Sequence, residues 1–462
     1  MRPRLSLSRR DWIKASAATA LVGHEAHLAD DVAGQTAANA GNVAWIECVL
    51  GPVPGRESVR VHLMIVGDRV ERGIVEPLGM LAADVSQLRI EGNRITGPLT
   101  IGHEPFRNNH SIPRIASRVP VRLELTINGD QVRGTFEGRW PSRATAAETS
   151  AVRGEVTGRR RDAERLRREN ALADGAVWPS YVGPNQNFSS GPARGELLGD
   201  FNQARIVWAS QYIGPTESGS KRYGACVGAS GCAGGASPVV AGGRVYQFRY
   251  QPSGEAYQQH LDEQLASDRA PMIRQQLTAV GWTEADLRRR WAIDADEELV
   301  CIDAATGQTL WTTPWRGEGL NLLDHKCSLT NHTGVFHDGK MHVFGALGIV
   351  RAVDVANGRT VWATDVPDYS ARMRRLKADS LRMRRIDAPT RSFCHGLNVA
   401  GNTIVAPDGI GACGLVGLDA ATGRVLWRVP GVLGAEAMPL TWNHDGRAYV
   451  IAACLATTVC PV

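Results

Sequence analysis

The sequence predicts an all-β protein in two parts, a β-sandwich-like domain followed by a β-propeller. Three observations support this prediction. Glycine (50 residues) and proline (23 residues) are abundant, which favours a fold with many turns. Short runs of alternating apolar and polar residues, separated by turn sequences, fill much of the chain. A motif with fixed internal spacing occurs three times in the second half, which indicates a repeat architecture.

Length and charge exclude several classes of protein. A chain of 462 residues is too long for one ordinary domain of about 100 to 200 residues. The 52 basic and 47 acidic residues nearly balance, so the net charge of +5 gives no reason to expect a nucleic-acid partner. No run of 18 apolar residues occurs, and we therefore expect no transmembrane segment.

Residues 1–40 resemble a twin-arginine export signal. Arg9-Arg10 precede Trp12-Ile13 and Lys14, and a weakly apolar stretch of small residues follows at 15–23. Ala38 and Ala40 provide the small-residue spacing of a cleavage site. The alternative is an amphipathic N-terminal helix with incidental arginines. The resemblance implies an exported protein in the periplasm or outside the cell.

Export would make the nine cysteines potential disulfide partners, and their odd number leaves at least one without a partner in the chain. The nearest local pairs are Cys226 with Cys232 and Cys454 with Cys460. Cys301 lies in an apolar strand pattern, which predicts a small core residue.

Residues 41–158 show the alternation of a compact β-sandwich-like domain. Predicted strands at 59–66, 88–90, 94–101, 121–127 and 132–138 are separated by turn sequences. The arginine-rich stretch that follows predicts a solvated, partly helical linker over 159–177.

The repeat motif places Gly four residues and Trp eight residues after Asp. Asp can hydrogen-bond the turn backbone, Gly supplies the positive φ of the turn, and Trp lies in the returning outer strand, between neighbouring units. A weaker copy runs from Asp200 to Trp208, with Ala204 in place of Gly. The three full copies are Asp303, Gly307 and Trp311; Asp354, Gly358 and Trp362; and Asp419, Gly423 and Trp427.

A second hairpin pattern precedes each motif, at 237–246, 333–342 and 396–405, and another follows the last motif at 439–450. Two hairpins per repeat give the four strands of a propeller blade. The pattern over residues 178–462 therefore predicts three full blades and a partial one. We expect a propeller truncated relative to its relatives; the alternative is a small ring that closes between the Trp208 strand and the last hairpin.

Two insertions with helical patterns interrupt the repeats, at 253–297 and 371–391. The first ends in Asp294, Asp296, Glu297 and Glu298, which predict a solvated acidic turn, with a calcium site as the alternative. The second is rich in arginine and carries Met373, Leu376 and Met383 in one helical stripe. It is interpreted either as an arm that packs these side chains on the propeller or as an anion-binding lid.

The blade motifs, together with Trp178-Pro-Ser-Tyr-Val-Gly-Pro-Asn185 and Ser237-Pro238, resemble those of PQQ-like β-propeller repeat proteins, the quinoprotein alcohol dehydrogenase-like superfamily. The resemblance covers 178–462. It implies either a binding or assembly scaffold of the cell envelope without a cofactor, whose ligand is an envelope protein or a polysaccharide, or a PQQ-dependent alcohol or sugar dehydrogenase with calcium. We assign no cofactor, metal or catalytic residue, because the adjacent cysteine pair and the haem motif of such enzymes are absent.

Candidate ligand-binding residues precede the innermost strands, at the axial face of the propeller. His332 and His395 occupy equivalent stations of neighbouring blades and could converge on a ligand or metal. The alternative is that these loop histidines only bond turn carbonyls. The full candidate set is His325, Lys326, Asn331, His332, Cys394 and His395.

Replacing Arg9 and Arg10 together by Lys should retain the precursor in the cytoplasm, because a twin-arginine receptor reads the guanidinium pair rather than the charge. Cell fractionation followed by immunoblotting measures this, with Arg2→Lys combined with Arg4→Lys as the matched control. Unchanged export of the Arg9/Arg10 variant would reject the signal assignment.

Overall fold

The computed structural model describes residues 43–53, 57–76, 81–103, 116–141, 149–170, 178–180, 183, 207–208, 237–279, 283–321, 333–385, 396–409, 413–433 and 439–452. The predicted signal at 1–40 and the four cysteines of the two predicted disulfides lie outside these residues. No helix in the described ranges is long and apolar enough to cross a membrane.

The N-terminal strands form one antiparallel sheet that curls into a barrel. Its order is β4-β3-β2-β1-β9-β8-β7-β6-β5, and β4 also pairs with β6, which brings the two ends together. The strands are β1 (Val43–Gly51), β2 (Val59–Val66), β3 (Arg69–Glu76), β4 (Leu81–Asp84), β5 (Arg89–Glu91), β6 (Arg94–His103), β7 (Ala116–Asn128), β8 (Gln131–Pro141) and β9 (Thr149–Asp162). The all-β prediction is confirmed, but the β-sandwich-like arrangement is replaced by a single closed sheet, because strand alternation specifies a buried face and not the pairing of the end strands.

The two faces of β1 show how the barrel is covered. Ile46 and Leu50 point into the barrel core, whereas Trp45 packs outside against Leu166. Leu166 belongs to helix α1 (Ala163–Glu169), which begins after Asp162 because the Asp162 carboxylate accepts from the backbone N–H of Arg165 at 2.8 Å. The predicted linker over 159–177 is therefore wrong at its start: 159–162 belong to β9, and a helix follows directly.

The second half contains three four-stranded antiparallel sheets and one two-stranded sheet, which confirms three full blades and a partial one. Blade 1 has β10 (Val239–Ala241), β11 (Arg244–Tyr257), β12 (Ala292–Asp303) and β13 (Thr309–Leu320). Blade 2 has β14 (Val335–His337), β15 (Lys340–Phe344), β16 (Ile349–Asp354) and β17 (Thr360–Asp365). Blade 3 has β18 (Asn398–Ala400), β19 (Thr403–Asp408), β20 (Cys413–Asp419) and β21 (Val425–Leu433), and the half-blade has β22 (Leu440–His444) and β23 (Arg447–Ile451).

Three tryptophans at the motif position each form a hydrogen bond to the next blade. The indole N–H donates to the carbonyl that follows the motif Asp of the next blade: Trp208 to Ala304 at 2.9 Å, Trp311 to Val355 at 3.3 Å and Trp362 to Ala420 at 3.1 Å. We call this contact the tryptophan clasp.

The glycine of the turn makes room for the indole. Gly358 has φ 77°, and a Cβ at this position would lie 2.8 Å from Cε3 of Trp311. The turn itself is closed by a hydrogen bond from the Gly358 N–H to the Asp354 carbonyl at 2.8 Å. Both the backbone angle and the contact with the ring therefore require glycine here.

One side chain from the first hairpin of blade 1 and one from that of blade 2 supply a second donor to the same carbonyls. Arg244 donates to the carbonyl of Val355, and His342 Nε2 lies 3.3 Å from the carbonyl oxygen of Ala420. Burial is the main cause that lowers the pKa of His342 to about 4, so the ring is neutral near pH 7 and donates through Nε2. Each clasp carbonyl between the full blades thus accepts from two side chains.

Both insertions contain helices, with bounds different from those predicted. The first contains α2 (His260–Ala266), α3 (Ala270–Ala279) and α4 (Glu284–Arg290), while 253–257 and 292–297 extend β11 and β12. The second is α5 (Pro367–Met383), with Met373 buried and Met383 exposed, so the predicted apolar stripe does not extend to Met383.

Trp311→Ala should lower the free energy of unfolding by about 3 to 5 kcal/mol, because it removes a buried ring and the clasp bond. Urea denaturation followed by circular dichroism measures the change. Val361→Ala, which truncates a half-exposed side chain on the outer strand of blade 2, is the control and should change it little. Wild-type stability of the Trp311 variant would contradict the role of the clasp.

Candidate functional site

The six candidate ligand-binding residues lie outside the described residues, so their proposed convergence stays a prediction. By chain connectivity, His325, Lys326, Asn331 and His332 belong to the connection between β13 and β14, and Cys394 and His395 to the one between α5 and β18. In an antiparallel blade, connections between blades leave from the end opposite the clasp turns. The helical insertions leave the sheets from this same end, which we call the insertion end.

The backbone of residues 178–180 runs along the innermost strands of blades 1 and 2. Trp178 exchanges two hydrogen bonds with Val240 of β10, at 2.8 and 3.0 Å, and the Phe336 N–H of β14 donates to Pro179 O at 2.8 Å. Ser180 is buried. The inner edge of blades 1 and 2 is therefore paired by the chain's own backbone, which sequence reasoning missed because these residues were used only as a family motif.

The acidic residues predicted as a solvated turn lie within strand β12, and that prediction is wrong. Glu297 and Glu298 are buried, and all four carboxylates have cationic partners. The pairs are Asp294 with Lys377, Asp296 with Arg316, Glu297 with Arg351 and Glu298 with Arg249. Sequence alone does not show this, because the matching cations come from other strands and from α5. The calcium alternative does not fit here either, since a lysine or arginine already neutralises each carboxylate.

Arg351 connects blades 1 and 2 through buried charge. Its guanidinium pairs with Glu297 at 3.2 Å and with Glu318, and it lies 4.7 Å from the ring centre of Trp315. Glu297 also accepts from the backbone N–H of Ala346 at 2.6 Å. Burial raises the pKa of the Glu297 carboxyl, and the charge of Arg351 opposes that shift. The position equivalent to Arg351 in blade 3 is Val416, so this ionic contact is particular to the first blade pair.

Helix α5 contacts three blades. Lys377 donates to the carbonyls of Gly317 and Gly319 in blade 1. Tyr369 packs on Phe344 of blade 2, with ring centres 4.9 Å apart. At the N-terminus of the helix, Asp408 of blade 3 accepts from the N–H groups of residues 368 and 369, at 3.1 and 3.3 Å. Since a carboxylate stabilises a helix N-terminus, blade 3 supplies the cap that Val366 lacks.

A surface cluster joins the end of α5 to the first insertion. Asp262 pairs with Arg288 at 2.8 Å and with Arg384 at 3.0 Å, and both guanidinium groups lie over the ring of Tyr257, at 4.5 and 4.4 Å. The hydrogen bond from Arg288 is the main cause that holds the pKa of Asp262 below its ordinary value. The two insertions are thus linked to each other at the insertion end.

These pairings favour the packed arm over the anion-binding lid as the interpretation of the second insertion. Besides Lys377 and Arg384, Arg374 pairs with Asp365 at 2.8 Å and Arg382 with Asp379 at 3.0 Å. Met373 is fully buried against the blades. Much of the positive charge that suggested anion binding is therefore neutralised within the chain.

The barrel is fixed to the first clasp turn. Arg167 pairs with Asp303 at 3.2 Å, and Asn170 donates to the carbonyl of Ala305 at 2.8 Å. Ala305 and Thr306 are buried, whereas the equivalent turn residues of blades 2 and 3 are exposed. Among the described residues, Arg167 and Asn170 therefore lie against the turn end of blade 1, which is opposite to the insertion end.

Metal-binding chemistry is not found in the part of the chain that the structure describes: no group of three His, Cys, Asp or Glu side chains there could hold an ion. Cys48 and Cys301 are buried free thiols, and burial raises the pKa of both to about 12. Cys301 is a core residue of blade 1. Neither thiol is suited to react as a thiolate near neutral pH.

Blades of four antiparallel strands, joined by tryptophan clasps, define a β-propeller protein of the PQQ-like repeat type. The model of the family described as outer membrane protein assembly factor BamB matches residues 201–382, 287–431 and 346–453, more than half of the chain. The chain belongs to this family.

Solved structures with similarity to the chain include BamB from Moraxella catarrhalis, at 11% identity and a TM-score of 0.21, covering 86% of this chain and 76% of that one. A quinohemoprotein alcohol dehydrogenase from Comamonas testosteroni matches at 13% identity and a TM-score of 0.22, covering 91% and 73%. A europium-containing methanol dehydrogenase matches at 12% identity and a TM-score of 0.24 over 43% of this chain, which spans only 24% of the enzyme. No curated protein matches the chain.

Arg351→Met should lower the free energy of unfolding by about 3 to 5 kcal/mol, because it leaves the Glu297 carboxylate buried without its partner. The double variant Arg351→Met with Glu297→Gln should recover a large part of this loss, since no buried charge remains. Urea denaturation of the single and double variants measures the coupling. Equal stability of the Arg351 variant and the wild type would show that the pair does not hold the blades together.

Proposed function

We propose that this protein is an exported binding or assembly scaffold of the cell envelope. The observation that supports the proposal most directly is the pairing of acidic side chains of blade 1 with cationic side chains. Four carboxylates of β12 each pair with a cation, and these pairs connect β12 to other strands and to α5; they are Asp294, Asp296, Glu297 and Glu298. This part of the propeller uses its acidic groups to fix surfaces relative to one another, as a scaffold requires.

The family supports the same proposal, because its description names an assembly factor of outer-membrane proteins. The twin-arginine resemblance of residues 1–40 fits an envelope location. An envelope protein or a polysaccharide is the class of ligand we propose for the axial face at the insertion end.

Reconstitution separates this proposal from the alternative, a PQQ-dependent alcohol or sugar dehydrogenase. Purified protein is titrated with PQQ and calcium by calorimetry and then assayed with a redox dye over a panel of alcohols and sugars. A known quinoprotein dehydrogenase, treated identically, is the positive control. We expect neither cofactor binding nor dye reduction. Stoichiometric PQQ binding with substrate-dependent dye reduction would overturn the scaffold proposal.

A further inference from the structure

The cluster that joins the two helical insertions contains more positive than negative charge. Asp262 pairs with Arg288 of α4 and with Arg384, which directly follows α5. Each carboxylate oxygen accepts from one guanidinium group, Oδ1 from Arg288 and Oδ2 from Arg384. One carboxylate therefore faces two guanidinium groups, and positive charge remains in excess.

Neighbouring residues add to this excess. Arg289 follows Arg288 in α4, Arg385 follows Arg384, and both Arg289 and Arg385 are exposed. The two arginine pairs are far apart in the sequence, and the fold brings the ends of the two helices together at Asp262. This junction is a cationic surface at the insertion end.

The backbone of Arg384 is in an unusual conformation for an arginine. It has φ 51° and ψ 34°, in the left-handed region where a helix most often ends with glycine, which has no Cβ. The other described non-glycine residues with positive φ are Asp338 and Asp445, each followed by a glycine in a hairpin turn, where Asp is tolerated. The backbone favours glycine at position 384, so the guanidinium group explains why an arginine is found there.

Both guanidinium groups are held in place by contacts within the chain. They lie 4.5 and 4.4 Å from the ring centre of Tyr257, whose hydroxyl donates to Asp262 at 2.8 Å. Arg384 Nε also donates to the carbonyl of Tyr257 at 3.3 Å. An arginine normally loses side-chain freedom when it binds an anion, and here much of that freedom is already lost. The arrangement therefore favours binding of a group with several anionic oxygens.

Two buried polar side chains at the same junction each have an atom without a hydrogen-bond partner in the part of the chain that the structure describes. These atoms are Nε2 of Gln258, which follows Tyr257, and Oγ of Ser380, in the last turn of α5. The backbone connects both to the cluster, because the Gln259 N–H donates to Arg384 O at 2.7 Å and the Arg384 N–H donates to Ser380 O. Both unpaired atoms can donate, so the junction lacks acceptors.

We propose that the ends of α4 and α5 form a binding site for a phosphate monoester, which contacts Arg288 and Arg384. Such a group carries close to two negative charges and three acceptor oxygens, so it can neutralise the charge that Asp262 leaves. A single carboxylate would bring no more charge than Asp262 already supplies. The site is fixed at the junction and is not a lid. It uses other residues than the proposed axial face and does not depend on the scaffold proposal.

Arg384→Gly tests the site with little risk to the fold, because glycine fits the left-handed backbone and exposed ion pairs contribute little stability. Glycerol 3-phosphate is titrated into the full chain by calorimetry at low salt. We expect Arg384→Gly to weaken binding by about tenfold or more, as the loss of a charge-assisted hydrogen bond does. The matched control, Arg382→Ala, removes the same charge from the last turn of α5, where Arg382 pairs with Asp379, and should change the affinity by less than about threefold. Equal weakening by both variants overturns the proposal.

A vesicle assay distinguishes a lipid source of the phosphate from a soluble one. Vesicles of phosphatidylcholine with phosphatidic acid present the same phosphate monoester on a membrane surface, and vesicles of phosphatidylcholine alone are the control. Cosedimentation that Arg384→Gly abolishes and Arg382→Ala retains supports the site and identifies a lipid head group. Binding of glycerol 3-phosphate without cosedimentation supports the site and identifies a soluble phosphate ester. Binding in neither assay, or cosedimentation that both variants reduce equally, overturns the proposal.

Discussion

The tryptophan clasp is the contact on which the rest of the propeller depends. A single indole fills the space above a glycine turn of the next blade and donates its N–H to a carbonyl of that turn. Burial of the ring and the hydrogen bond act together, and between the full blades a second side chain donates to the same carbonyl. Because the clasp recurs from blade to blade, each blade is held mainly by its neighbours, as in other repeat architectures.

Buried charged side chains form further contacts between blades, and these contacts are not part of the repeat motif. Arg351 joins blades 1 and 2, and Lys377 and Asp408 fix α5 to blades on either side of its own. Buried ion pairs contribute little net stability over apolar contacts, but they tolerate few alternative arrangements. This supports the proposal of a scaffold, in which the relative position of surfaces matters more than a reactive group.

The two ends of the propeller differ in what covers them. At the turn end, Arg167 and Asn170 attach the barrel to blade 1, while the insertion end carries the helices. The packing of α5 on three blades makes this helix a fixed part of the insertion end and not a free arm.

The sequence by itself determined the blades: Asp, Gly and Trp at fixed spacing specify a turn, and the alternating runs specify the hairpins on either side. These features are local, so they could be predicted. Only the tertiary structure decided three other features. They are the closure of the barrel, the position of Arg159–Arg161 in β9 and the partners of Asp294 to Glu298. The physical reason is that a charged residue in a sequence predicts an exposed position. Such a residue can be buried only where the fold brings an opposite charge from a distant segment, as Arg351 and Lys377 show.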